Sequence, residues 1–221
     1  MSTPDPLDPK RVLSLLARLN ARLADQQRRL DELEGAVLEP IAVVGLACRL
    51  PGGVNNPDDL WDILITHTDA TSEVPGDRWD MEGFYDPDPD HPGTSYTRRG
   101  SFLDDVSGFD ARFFGISPRE ARLMEPEHRF IIETSWRSLE DAGIAAPSLM
   151  GTSTGVFVGI GAGDYGLLQQ GPGAMERLNP YSVSGVSTCF SAGRISHLLG
   201  LQGPSVAVDT ACSSSLVAVH L

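Results

Sequence analysis

The chain of 221 residues carries 17 Lys and Arg against 30 Asp and Glu, a formal net charge of -13, which argues against nucleic acid as the main partner because phosphate binding needs a basic surface. Hydrophobic residues at 41% and charged residues at 21% are ordinary for a globular chain, and the length suits one domain with a short appendage. No apolar run is long enough to span a bilayer, and the start, Met1-Ser2-Thr3-Pro4-Asp5-Pro6, lacks the basic and apolar regions of a signal peptide, so a cytoplasmic protein without a membrane partner is expected.

The first element is a helix over residues 8–38, free of glycine until Gly35. Its Val12, Leu16, Leu19, Leu23, Gln26, Leu30, Leu33 and Val37 alternate by four and three, a heptad with one polar core position. So narrow a stripe needs a partner helix. Lys10, Arg11, Arg18, Arg22, Arg28 and Arg29 dominate the first stretch and Asp31, Glu32 and Glu34 the end. One reading is a helix folded back on the body; the other is a coiled coil that dimerises or docks on an acidic helix. The domain boundary is placed after it, giving 1–38 and 39–221.

Ile41-Ala42-Val43-Val44-Gly45 is a continuous apolar run and predicts a buried strand. Asn56-Pro57-Asp58-Asp59 starts a helix, with an Asn cap, Pro in the first turn and acids at the dipole's positive end. Residues 71–115 read as a long ordered loop whose Trp79, Phe84, Tyr85, Phe102, Phe109, Phe113 and Phe114 require burial. Ser117-Pro118-Arg119-Glu120 is a capping box, and a further helix runs from about Pro126 to Ala142 and stops at Gly143. A strand at 154–160, a helix at 181–199 and a strand at 205–209 complete an alternating α/β pattern with buried sheets.

Cys48, Cys189 and Cys212 are an odd set without CxxC spacing, which argues against a disulfide framework or a metal site. Cys48 and Cys189 read as small packed hydrophobes. Cys212 differs, because Ser205-Val206-Ala207-Val208-Asp209 runs straight into Thr210-Ala211-Cys212-Ser213-Ser214-Ser215 and a helix-like segment follows. That strand-turn-helix pattern sets the thiol beside a helix N-terminus, where free amides and the dipole favour a thiolate. Its backbone amide can serve an oxyanion hole when the sulfur attacks a thioester. Gly159-Ile160-Gly161-Ala162-Gly163 lacks the ending of a phosphate loop and is read as a tight turn. His67, His91, His128 and His197 are expected to be structural or solvated, and His220 to pack or face solvent.

The string from Gly203 through Asp209-Thr210-Ala211-Cys212-Ser213-Ser214-Ser215-Leu216 resembles the β-ketoacyl synthase family, in particular the ketosynthase domains of modular polyketide synthases. The likeness extends to Glu39-Pro40-Ile41-Ala42-Val43-Val44-Gly45 through Gly52, Val74-Pro75-Gly76-Asp77-Arg78-Trp79-Asp80, Phe113-Phe114-Gly115-Ile116-Ser117-Pro118-Arg119-Glu120 and Ser191-Ala192-Gly193-Arg194-Ile195-Ser196. It implies a thiolase-like layered αβαβα fold, here its N-terminal half, in a homodimer. It implies Cys212 as the nucleophile that takes an acyl chain from the phosphopantetheine arm of an acyl carrier protein. Decarboxylative condensation with a malonyl-type extender then follows, with no cofactor bound by the domain itself. The heptad helix resembles the docking coiled coil that receives an upstream synthase subunit.

Two departures qualify this expectation. Glu125-Pro126-Glu127-His128-Arg129 stands where the family commonly has Asp-Pro-Gln-Gln-Arg, a change of local polarity. The family's His-Gly-Thr-Gly and Asn-Ile-Gly-His motifs, whose histidines assist decarboxylation, are not in the sequence, and His220 matches neither. The chain therefore reads as a ketosynthase front part that does not condense alone. The alternative is a non-catalytic docking fragment of a synthase subunit.

Overall fold

Two units make up the chain in the computed structural model, Met1–Val43 and Val44–Leu221. The structure describes residues 9–38, 40–161, 163–168, 176 and 178–221. Glu39 and Ala162 lie outside them, as do the side chains of Lys10, Arg11, Glu32, Leu33, Glu34 and Val37.

In the first unit, α1 spans Pro9–Leu38, built from strong helix formers such as Leu, Ala, Arg and Gln. Leu16, Leu19, Leu23 and Leu30 stand exposed along its stripe. Arg28 and Arg29 both reach Asp25, at 3.3 Å each, but such solvated pairs contribute little. The apolar stripe, rather than the charges, is the helix's main unspent interaction.

In the second unit, local signals fix the first elements. Helix α2 is Pro57–Thr66, and the Asn56 side chain accepts from the Asp59 N–H at 2.9 Å. A two-residue pairing of β1, Ser72–Glu73, with β2, Arg99–Gly100, frames the short α3, Met81–Phe84. Burial of the aromatics in residues 71–115 is incomplete: Phe114 is buried, whereas Trp79, Phe84 and Phe113 are exposed. Phe113 and Phe114 instead meet Trp136 edge-on, with centroids 4.9 and 6.0 Å away. Ser117 caps α4, Pro118–Ala121, by accepting from the Glu120 N–H at 3.1 Å. Helix α5 spans Pro126–Asp141 and ends before Gly143, whose φ of 65° suits glycine.

The strand expected at Ile41-Ala42-Val43-Val44-Gly45 is not formed. A strand exists only when a neighbour answers its N–H and C=O groups, and among the described residues that run has no ladder partner. Within the second unit its end is seated on the last turn of α5. The Leu46 N–H donates to Asp141 Oδ2 at 2.8 Å, and a Cβ on Gly45 would fall 2.3 Å from the Ser138 carbonyl oxygen. Arg49 lies 4.8 Å over the Phe130 ring.

The core is a β-α-β arrangement. Strand β3, Val156–Gly159, pairs in parallel with β4, Ser205–Val208, in the register Gly159 to Val208. Between them run α6, Tyr165–Leu168, α7, Tyr181–Ser184, and α8, Cys189–Leu199. The single helix expected over 181–199 is thus broken. The turn there is committed elsewhere: the Gly185 carbonyl accepts from the Glu125 N–H at 2.8 Å. Side chains alternate across a sheet, and Val158 and Ile160 cluster with Ala192, Ile195 and Leu199 of α8, Ile132 of α5, and Met124. Gly159, on the other face, lies against the backbone of Ser214 and Ser215 at the start of α9, Ser214–His220. Helices therefore cover both faces of the strand pair, an α/β layering. Each large side chain buried in this cluster stabilises the fold by about 1.5–3 kcal/mol. No described helix is long and apolar enough to cross a membrane.

Candidate active site at the Cys212 turn

Strand β4 ends at Val208, and four residues later the chain reaches Cys212, which is exposed. Asp209 Oδ1 accepts from the Ala211 N–H at 3.1 Å. Ala211 is held at φ 53°, the left-handed region that costs a side-chain-bearing residue about 1 kcal/mol. That strain, immediately before the cysteine, reverses the chain sharply enough to bring the sulfur to the mouth of α9.

Two serines hold the reversal. The buried Ser214 hydroxyl donates to the Ala211 carbonyl at 2.7 Å and accepts from the Thr210 N–H at 2.9 Å. Ser213 Oγ donates to the Thr210 carbonyl at 2.8 Å. The serines after the cysteine therefore shape the turn through their hydrogen bonds. Both hydroxyls bond back to carbonyls three residues earlier rather than capping α9, the local side-chain to backbone pattern of turn serines.

The other two cysteines lie elsewhere. Cys48 is half-buried, and burial pushes its thiol up, with Asp59 adding to the effect. Cys189 opens α8 and is exposed, so the expected packing role is corrected. The reason is local: the first turn of α8 buries Ser191 and Ala192 instead. Of the histidines, His67, His91, His197 and His220 are exposed. His128 is buried at 1% exposure. A cavity of about 680 Å³ opens beside α8, with Phe114, Ile116, Glu120, Tyr181, Arg194 and His197 among its walls, and Cys212 is not one of them. Its Arg194 is ion-paired with Glu120 and donates to the Ser184 carbonyl at 3.0 Å. Among the described residues no cluster of three or more His, Cys, Asp or Glu could hold a metal ion.

A polar cluster sits at the head of α5, where the sequence showed only a change of local polarity. Glu125, 5% exposed at the head of α5, accepts from the Tyr165 N–H at 3.0 Å. Burial pushes its carboxyl above the usual range, opposed by that hydrogen bond, while Asp164 raises it further. Glu127 is raised for the same first reason, then by Glu125 and Asp164.

Comparison with known proteins adds the chemistry's context. A family model described as the N-terminal domain of beta-ketoacyl synthase matches residues 38–221. The chain is 51% identical over 215 residues to erythronolide synthase EryA2 of Saccharopolyspora erythraea, covering 97% of this chain and 6% of that protein. It is 51% identical over 207 residues to the pikromycin polyketide synthase component PikAIII of Streptomyces venezuelae, covering 93% of this chain and 13% of that one. Among solved structures, an oxazolomycin ketosynthase domain of Streptomyces albus aligns with TM-score 0.72 at 40% identity, over 82% of this chain and 31% of that chain. The module 6 ketosynthase of the bacillaene synthase of Bacillus subtilis aligns with TM-score 0.69 at 36% identity, over 81% and 28%. The chain thus spans a small part of its curated relatives and under a third of these solved ketosynthases. At such identity the fold is the thiolase-like α/β fold of those domains.

Proposed function

The chain belongs to the β-ketoacyl synthase family, and from that premise we propose that Cys212 is the nucleophile that receives an acyl chain in polyketide assembly. The observation that carries this is the turn itself: an exposed thiol, after a strained Ala211 and before a helix, at the end of a half-buried parallel strand. The Cys212 sulfur, as thiolate, attacks the carbonyl carbon of an acyl thioester on a carrier protein's phosphopantetheine arm. The Cys212 backbone amide steadies the oxyanion. The carrier thiol leaves and takes up a proton, and the acyl group stays on sulfur as a new thioester.

In the family's scheme a malonyl-type extender then loses carbon dioxide, its enolate carbon attacks the acyl-cysteine, and a β-ketoacyl carrier product departs with the sulfur restored. That step draws on the family's histidine motifs, while the residues at the Cys212 turn carry acyl capture, an acyltransferase half-reaction. No cofactor is assigned to it. The carrier protein is the partner at Cys212, a homodimer is the working state, and the protein acts in the cytoplasm. Helix α1, with Leu16, Leu19, Leu23 and Leu30 exposed, is assigned to docking an upstream subunit as a coiled coil.

Incubating the 221-residue chain with an acyl N-acetylcysteamine thioester and mapping the adduct by mass spectrometry tests this reading. One acyl group on Cys212, lost in Cys212→Ala, is the expected result. Acylation of Cys189 alone, or none, would overturn it.

A further inference from the structure

We propose that Glu125 is a positioning residue for acyl transfer at Cys212, acting by fixing the loop that leaves β3 beside the cysteine turn. The inference deepens the reading of Cys212 as an acyl acceptor and rests on it.

The topology places that loop. Strands β3 and β4 are parallel neighbours, and the Ile160 N–H donates to the Val208 carbonyl at 3.0 Å. Both chains therefore leave the sheet at the same end. One continues through Asp209 to Cys212; the other continues through Ile160 and Gly161 to Gly163 and Asp164. Gly159 backs onto Ser214 and Ser215, the first residues of α9. The described residues after β3, Ile160, Gly161, Gly163 and Asp164, therefore leave the sheet on the side of the cysteine turn and are assigned as a wall of the approach to the thiol.

Glu125 is what holds that wall. Its carboxylate accepts from the Tyr165 N–H at 3.0 Å. Gly163 lies so close that a Cβ there would fall 2.4 Å from the carboxyl carbon. Arg129 Nη2 donates to the Tyr165 hydroxyl at 3.3 Å. The main-chain N–H of Glu125 reaches the Gly185 carbonyl at 2.8 Å, which ties the turn after α7 to the same point. A carboxylate buried beside Glu127 and Asp164 is a costly way to fasten a loop, and such local costs concentrate where function requires fixed geometry. Loosening the wall lets the thioester bind while spoiling its alignment with the sulfur, so the rate at saturation falls and the half-saturating concentration does not.

The test uses the full chain and an acyl N-acetylcysteamine thioester, with acylation of Cys212 followed by intact mass. Glu125→Ala is expected to lower the maximal rate by about tenfold, with half-saturation within about twofold. Glu125→Gln keeps an acceptor oxygen and restores the rate to within about threefold of the native protein. Gly163→Ala, which pushes the loop off an intact Glu125, reproduces the loss and guards against a misfolded Glu125→Ala. A native chain that acylates while Glu125→Ala and Gly163→Ala keep its maximal rate overturns the positioning role alone. Equal loss in Glu125→Gln and Glu125→Ala also overturns it, since the acceptor oxygen would then be irrelevant. A native chain that leaves Cys212 unacylated overturns the acyl-acceptor reading, and the positioning role falls with it.

Discussion

His128 shows how a single buried group sets a pH dependence. It is 1% exposed, and neither ring nitrogen has a protein partner. Burial, and then the charge of Arg194, push its pKa down to about 4. The unfolded chain takes up this proton near pH 6.5, whereas the folded chain refuses it until about 4. Its contribution is therefore complete above pH 6.5 and is lost as the pH falls toward 4, a change on the order of 3 kcal/mol. Glu125, Glu127 and Glu133, all raised first by burial, work with the opposite sign. They cost stability at neutral pH, and acidification relieves that cost. The single substitution His128→Gln, toward the residue of the family pattern, separates the two. Urea midpoints at pH 7 and pH 5 should show the native chain losing stability relative to His128→Gln on acidification. Parallel curves would assign the acid sensitivity to other groups.

At the scale of elements, the contact between β3 and α9 is the tightest constraint on the cysteine turn. A Cβ on Gly159 would lie 2.6 Å from the Ser214 carbonyl carbon and 2.7 Å from the Ser215 N, and backbone on both sides cannot yield without moving α9. Gly159→Ala is expected to destabilise by about 1–3 kcal/mol and to abolish acylation of Cys212. Gly161, with nothing within 4 Å of its added Cβ, supplies the control, and Gly161→Ala should leave the urea midpoint near native. Equal behaviour of the two variants would show that α9 is free to shift. The same contrast explains what the sequence could disclose. The Asn56 cap, the Ser117 cap and the Gly143 stop depend on three or four adjacent residues and are realised, whereas the Glu120 side chain that would close the capping box turns to Arg194 instead. The Cys212 turn was legible for that reason too. The missing strand at Ile41 and the break at Gly185 depend on partners far along the chain. So does the grip of Glu125 on Tyr165, forty residues away, and no local pattern announces such a pairing.

For the whole molecule the open question is which exposed apolar surface governs association. Within the second unit, Leu216 and Val219 of α9 are 77% and 87% exposed, a patch of two side chains on a seven-residue helix. Within the first, α1 exposes Leu16, Leu19, Leu23 and Leu30 along 30 residues at coiled-coil spacing. At about 1.5–3 kcal/mol for each apolar side chain fully buried, four leucines per helix outweigh two, and a heptad gives them a defined partner geometry. The net charge of -13 opposes any association, which the smaller patch is less able to overcome. Sedimentation velocity over a concentration series should therefore show reversible dimerisation of the native chain. The double substitution Leu19→Asp with Leu23→Asp should abolish it, because it buries like charges in the seam. Leu216→Lys with Val219→Lys should leave dimerisation in place and lower only the binding of a hydrophobic dye. Dimerisation that survives the α1 pair and disappears with the α9 pair would move the association surface from the helix to the layer beside Cys212.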